Sequence, residues 1–144
     1  KEKLEKILKA LKEISKIKPI FFPIHPRTKK RIKEFGFERY LENFVMSEPL
    51  DYPKLMGLVK HSYKVITDSG GLQKEAYFAG KRCIVLMPDT GWRELVEAGW
   101  NMLADENNLV EKVLTESRIT YPQGMYGDGN AGEKIVTIIL DNFI

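Results

Sequence analysis

The sequence predicts an α/β protein in which a parallel sheet is covered by helices. Two observations carry this. Stretches with helical periodicity alternate with short apolar runs along all 144 residues, and such alternation implies parallel strands joined by right-handed crossovers. The apolar runs are also continuous rather than alternating, as expected for strands covered on both faces. The length suits one domain and can bury roughly two-thirds of the surface of the unfolded chain.

From Glu2 to Ile17, apolar residues recur at Leu4, Ile7, Leu8, Leu11, Ile14 and Ile17, which is helical spacing. Pro19 interrupts, and Ile20-Phe21-Phe22-Pro23-Ile24 reads as a buried strand ending at His25. A short helix follows near Lys29 to Phe35 and is stopped by Gly36. Phe44-Val45-Met46 is a second strand. Asp51 is the expected N-cap of a helix running to about Lys60. Lys64 to Thr67 is a third strand, leading through Asp68-Ser69-Gly70-Gly71 into a helix that ends near Gly80. Cys83 to Leu86 is the fourth strand. A helical turn from Trp92 to Ala98, a short strand from Asn101 to Leu103 and a helix from Glu106 to Ser117 follow. Tyr126-Gly127-Asp128-Gly129 is a tight turn, and a last helix runs from about Ala131 to Phe143. No repeat, low-complexity tract or linker interrupts this order.

Composition narrows the function. Hydrophobic residues are 43% and charged residues 30%, as in an ordinary globular protein. A net charge of +3 is too small to argue for nucleic acid, and the lysines lie mostly on predicted helix faces. The single cysteine, Cys83, sits in an apolar run and reads as a small buried residue. Two histidines and one cysteine make a structural zinc site improbable, so neither a metal nor a cofactor is expected. No apolar run approaches the ~20 residues that span a bilayer. The charged amphipathic start is unlike a signal peptide, and the cytoplasm is the expected location.

Ligands of open α/β sheets bind outside the carboxyl ends of the strands. Four segments lie there: His25-Pro26-Arg27-Thr28, Ser47 to Asp51, Asp68 to Gly71, and Pro88 to Gly91. The third is the sharpest. A Ser-Gly-Gly turn that opens a helix offers unpaired amides and the positive end of the helix dipole to a phosphate, and Ser69 adds a hydroxyl. Glu75, about one turn inside, is placed to accept the hydroxyls of a ribose. No Gly-Lys-Ser/Thr follows, so this is not a P-loop. A plain strand-to-helix turn with a serine cap explains the same residues. His25, beside Arg27, can donate to a phosphate or move a proton; an exposed loop histidine is the simpler alternative. His61 is expected to interact with its helix's C-terminal dipole. Asp68 is expected to fix the turn through hydrogen bonds to backbone.

Thr67-Asp68-Ser69-Gly70-Gly71-Leu72-Gln73-Lys74-Glu75-Ala76 closely resembles the signature of non-hydrolysing UDP-N-acetylglucosamine 2-epimerases. Phe22-Pro23-Ile24-His25, Glu48-Pro49-Leu50-Asp51-Tyr52, Val96-Glu97-Ala98-Gly99 and Tyr126-Gly127-Asp128-Gly129 match in order and spacing, so the resemblance covers residues 1–144. It implies the C-terminal, UDP-binding Rossmann-like half of a two-domain GT-B fold, shared with many glycosyltransferases. It implies an isomerase that interconverts UDP-N-acetylglucosamine and its manno epimer by eliminating and re-adding UDP, in the biosynthesis of cell-surface polysaccharide. Carried over, Ser69, Gly70 and Gly71 hold the UDP phosphates and Glu75 the ribose. His25 contacts the diphosphate or assists its departure, and Arg27 joins the UDP contacts.

The same resemblance places the acidic catalytic residues in an N-terminal domain and a first strand ahead of the opening helix. Neither is within these residues, so the half alone is expected to be inactive, with a gap in mid-sheet or with that gap closed by rearrangement or by a partner chain. The full-length protein is expected to be a homodimer. The apolar face of the last helix, Ile135, Ile138, Ile139 and Phe143, is expected to be exposed, self-associated or re-docked. Departures fall in Thr90-Gly91-Trp92-Arg93-Glu94, and at Met87, where the family has an arginine. Lys74 replaces a common Glu and is expected on the solvent face. Two other functions fit the same residues: half of a glycosyltransferase, and a non-catalytic UDP-sugar-binding module.

Overall fold

The computed structural model describes residues 1–116 and 118–143. Ser117, the expected end of one helix, lies outside the described residues, as does the side chain of Phe143.

Helix α1 (Glu2–Ser15) buries Leu8, Ala10, Leu11 and Ile14 along one stripe. Strand β1 (Ile20–Pro23) pairs in parallel with β2 (Phe44–Ser47) across α2 (Pro26–Phe35). Helix α2 begins three residues before its expected start because Pro26 fits the first helical position, where its missing N–H is no loss. It ends at Gly36, whose φ of 68° belongs to the left-handed region glycine enters without strain. A 3₁₀ turn at Glu38–Tyr40 leads into β2. Helix α3 (Tyr52–His61) starts at Asp51, whose carboxylate accepts the Lys54 amide at 3.0 Å. At its other end His61 Nδ1 lies 2.8 Å from the Gly57 carbonyl, where it can only donate.

Strands β3 (Val65–Thr67), β4 (Cys83–Val85) and β5 (Met102–Leu103) form a second parallel sheet, with α4 (Gly70–Phe78) and α5 (Arg93–Glu97) as connections. The third strand of this sheet is shorter than expected because Asn101 turns its side chain to the Cys83 amide (3.1 Å). Helix α6 (Leu109–Leu114) also falls short of the expected 106–117. Asp105 accepts the amides of Asn107 and Asn108 and holds that stretch as a turn. Helix α7 (Ala131–Phe143) closes the described chain.

The described strands therefore form two parallel sheets, β1-β2 and β3-β4-β5, rather than one. The two sheets share one core. Ala10, Leu11 and Ile14 of α1 and Leu109 and Val113 of α6 cluster with Phe44 of β2 and Ile84 of β4, and Phe22 and Ile66 pack against them. Cys83 is fully buried, and desolvation pushes its thiol up to about 12. A separate aromatic cluster gathers Tyr77, Trp92, Trp100, Tyr121 and Tyr126 with Leu95. Residues 131–142 are exposed throughout, including Ile135, Val136, Ile138, Ile139 and Leu140. Among the described residues no helix is long and apolar enough to cross a membrane.

Candidate functional site

Strand β3 ends at Thr67 and α4 starts at Gly70, so Asp68 and Ser69 make the turn. Ser69 is the N-cap, and its Oγ accepts the Leu72 amide at a long 3.5 Å. The Gln73 amide reaches the Ser69 carbonyl, and the Ser69 amide donates to Thr67 Oγ1 at 3.0 Å. A helix leaves its first N–H groups without partners in its own ladder. Among the described residues the caps satisfy all but those of Gly70 and Gly71, so these two are the open donors at the positive end of α4. The turn is fixed by Thr67, not by the expected Asp68. The Asp68 side chain is exposed and takes no part in the turn's hydrogen bonds.

The two glycines are not demanded by the protein's own packing. Neither has a left-handed φ. A Cβ on Gly70 would meet Trp92 Nε1 at 3.9 Å, and one on Gly71 would meet Ser69 Oγ at 4.0 Å, both ordinary contacts. What their bareness leaves open is the approach to the two free amides. Glu75 lies one turn further in and is partly exposed.

The loop after β4 closes over this helix start. Thr90 is buried, and its hydroxyl donates to Oε1 of the fully buried Gln73 at 2.7 Å. The Trp92 amide donates to Thr90 Oγ1 (3.2 Å), and the Trp92 indole N–H donates to the Gly70 carbonyl (2.7 Å). Lys74, expected on the solvent face, is only partly exposed. Its ammonium lies 4.4 Å from the Trp92 ring centre and 4.2 Å from that of Tyr126, and those rings meet edge to face. The helix points Lys74 at the loop because the residue is one turn beyond Gly70, and the ring faces attract the cation. Tyr126 lies beside Glu94, which is held below the usual carboxylate range by that hydroxyl. Desolvation first, and then Glu94, raises the Tyr126 phenol. Met87 Sδ sits 4.0 Å from the Gln73 amide nitrogen.

His25 and Arg27 belong to the other sheet. His25 caps α2: its Nδ1 accepts the Arg27 amide at 3.2 Å. That bond requires an unprotonated Nδ1, so in the neutral ring Nε2 carries the hydrogen and is a donor. Arg27 lines a shallow cleft along α2 with Pro26, Lys30, Arg31 and Glu34. Lys29 pairs with Glu48 across the ends of β1 and β2. All of these follow strand carboxyl ends, but no hydrogen bond or ion pair among the described residues joins His25 or Arg27 to the turn at Ser69. Sequence reasoning placed Thr90 on the ligand edge and Gln73 in the signature but missed that Trp92, Thr90 and Gln73 are bonded together and to the turn. A tryptophan in the loop after a strand end, next to a glycine turn on the neighbouring strand, is the signal that points to it. Among the described residues no three or more His, Cys, Asp or Glu side chains gather as a metal site would require.

Comparison with known proteins gives the geometry a family. A model described as UDP-N-acetylglucosamine 2-epimerase matches residues 1–140. A Methanococcus maripaludis protein named UDP-N-acetylglucosamine 2-epimerase is 40% identical over 96% of this chain and 40% of its own length. The structure of UDP-GlcNAc 2-epimerase from Methanocaldococcus jannaschii superposes with a TM-score of 0.83 at 36% identity, covering 97% of this chain and 41% of that one. A second structure of the Methanocaldococcus jannaschii enzyme, in complex with UDP-GlcNAc and UDP, gives 0.79 at 37% identity over the same shares. The chain thus spans about two-fifths of the length of the relatives it matches.

Proposed function

The chain belongs to the UDP-N-acetylglucosamine 2-epimerase family, and from that premise we propose that residues 1–144 are the UDP-binding half of such an enzyme. The observation that carries this is the pair of open amides at Gly70 and Gly71, on glycines that the fold itself does not require. In this reading those amides and the Ser69 hydroxyl hold the diphosphate, and Glu75 accepts the ribose hydroxyls. His25, through Nε2–H, and Arg27 meet the diphosphate from the β1 side. The Methanocaldococcus relative crystallised with UDP-GlcNAc and UDP makes this nucleotide the first ligand to try.

The chemistry follows from charge. When the bond between the sugar and UDP breaks, negative charge grows on the leaving phosphate oxygen. Fixed donors aimed at that oxygen lower the barrier most when they need no rearrangement as the charge develops. An amide pair at a helix start, an imidazole N–H and a guanidinium are donors of that kind. The base that removes the proton at C2 belongs to the remainder of the full-length protein, which acts in the cytoplasm as a homodimer and serves cell-surface polysaccharide synthesis.

The test is calorimetric titration of the chain with UDP. Ser69→Ala and Glu75→Ala should each weaken binding about tenfold, the size of one hydrogen bond to a charged group. A folded chain that ignores UDP, or variants that bind as tightly as the parent, overturns the reading.

A further inference from the structure

We propose that Trp92 is a positioning residue for the phosphate turn, holding the Gly70–Gly71 peptide in the orientation that presents the Gly71 amide to an anion. This rests on the reading of Ser69 to Gly71 as the diphosphate site and adds a residue that contributes no ligand contact of its own.

Two successive glycines at a helix start have the greatest backbone freedom of any pair, so this first turn frays more easily than one built of other residues, even with its Ser69 cap. A peptide unit is planar and trans, and its C=O and N–H point in opposite directions. The carbonyl of Gly70 and the amide of Gly71 belong to the same unit. As the first residue of α4, Gly70 offers its carbonyl to the helix ladder, and the Trp92 indole N–H, 2.7 Å from that oxygen, adds a second donor from outside the helix that braces the plane and so the aim of the amide on its other side.

Trp92 is itself held. Its own amide donates to Thr90 Oγ1, and the Thr90 hydroxyl donates to Gln73, one turn further along the same helix. The Lys74 ammonium lies over the indole face, and the Tyr126 ring meets the indole edge to face at 5.8 Å. Three contacts on α4, at residues 70, 73 and 74, thus tie one loop to one helix start. A donor group locked by surrounding packing binds without first having to be ordered.

Trp92→Phe deletes the N–H and keeps a ring for Lys74 and Tyr126. Tyr77→Phe is the comparison variant, since the Tyr77 hydroxyl bonds Pro122 and Met125 in the same aromatic cluster but not the turn. Two readouts apply to each. The ¹⁵N order parameters of Gly70 and Gly71 in the unliganded chain should fall from about 0.85 toward 0.6 in Trp92→Phe only. UDP affinity should fall at least tenfold in Trp92→Phe and less than twofold in Tyr77→Phe. Unchanged order parameters in Trp92→Phe overturn the positioning role whether or not UDP binds. An equal loss of affinity in both variants reduces Trp92 to a general structural residue and overturns it too. If the parent chain binds no UDP while the order parameters still drop, the diphosphate reading fails and the ordering of the turn by Trp92 stands.

Discussion

Gly71→Ala separates what the fold needs from what a ligand needs. A Cβ at this position meets nothing nearer than Ser69 Oγ at 4.0 Å, and the residue does not have a left-handed φ. Inside the first turn of α4, alanine should therefore stabilise the helix by roughly 0.5–1 kcal/mol relative to glycine. For a chain of this size that corresponds to a melting temperature about 2–4 °C higher. Binding should move the other way. A phosphate oxygen bonds an amide at about 2.9 Å, whereas a methyl carbon keeps other heavy atoms at roughly 3.5–4 Å. The anion must then withdraw and give up a charge-assisted hydrogen bond worth about 1.5–3 kcal/mol, a loss of roughly 10- to 100-fold in affinity for UDP. Thermal unfolding followed by circular dichroism, and calorimetry with UDP, read the two effects on one preparation. A Gly71→Ala chain that melts higher and binds UDP as before refutes the site. One that melts lower refutes the claim that the fold does not require the glycine.

Three further outcomes are expected. Tyr77 is buried, and its hydroxyl donates to the Pro122 carbonyl at 2.6 Å and accepts the Met125 amide at 3.3 Å. Tyr77→Phe should cost about 1–3 kcal/mol by leaving those groups unpaired, and an unchanged melting temperature would show that the segment from Pro122 to Met125 is not anchored there. The Cys83 thiol, buried and pushed up to about 12, should react with a thiol reagent only as fast as the chain unfolds; prompt stoichiometric labelling in native buffer would contradict its burial. Asp51 is held below the usual carboxylate range, first by the Lys54 side chain and then by the Lys54 amide. A depressed folded value gives stability that is present above the ordinary carboxylate range and is lost as pH falls through the folded one. Asp51→Ala should therefore melt lower than the parent at neutral pH and match it at about pH 2; a constant difference across that span would place the effect elsewhere.

The sequence reveals local features well and distant ones poorly. The stripe of α1 as far as Ile14 and the Asp51 cap are each written within a few consecutive residues and found as expected, whereas Ile17 lies past the helix end and is exposed; the Ser69 cap is the plain alternative that the same residues allowed. Pro26 is itself a helix-start signal, and it outweighs the loop expected between His25 and Lys29, so α2 begins early. At the turn, two adjacent polar residues compete for one role, and only the backbone path shows that Thr67 rather than Asp68 faces the Ser69 amide. Helical periodicity tells which residues share a face, not what covers that face, so the two rings against Lys74 are not legible in it. The bond from Trp92 to Gly70 spans 22 residues. It exists only because β3 and β4 are neighbours, so no local pattern can contain it.

The division of the strands into two groups also divides the entropy cost of closing the chain. Residues 20–47 form one group of strands and residues 65–103 the other, each from chain segments close to one another. Contacts between near neighbours in sequence form early because little loop entropy is lost in making them. What joins the groups is the shared cluster in which Leu11 and Ile14 of α1 and Leu109 and Val113 of α6 pack with Phe44 and Ile84. The α1–α6 contact spans about a hundred residues, so its closure carries the largest loop entropy of these contacts. Helix α1 is thus the latch between the sheet that bears His25 and the sheet that bears Ser69.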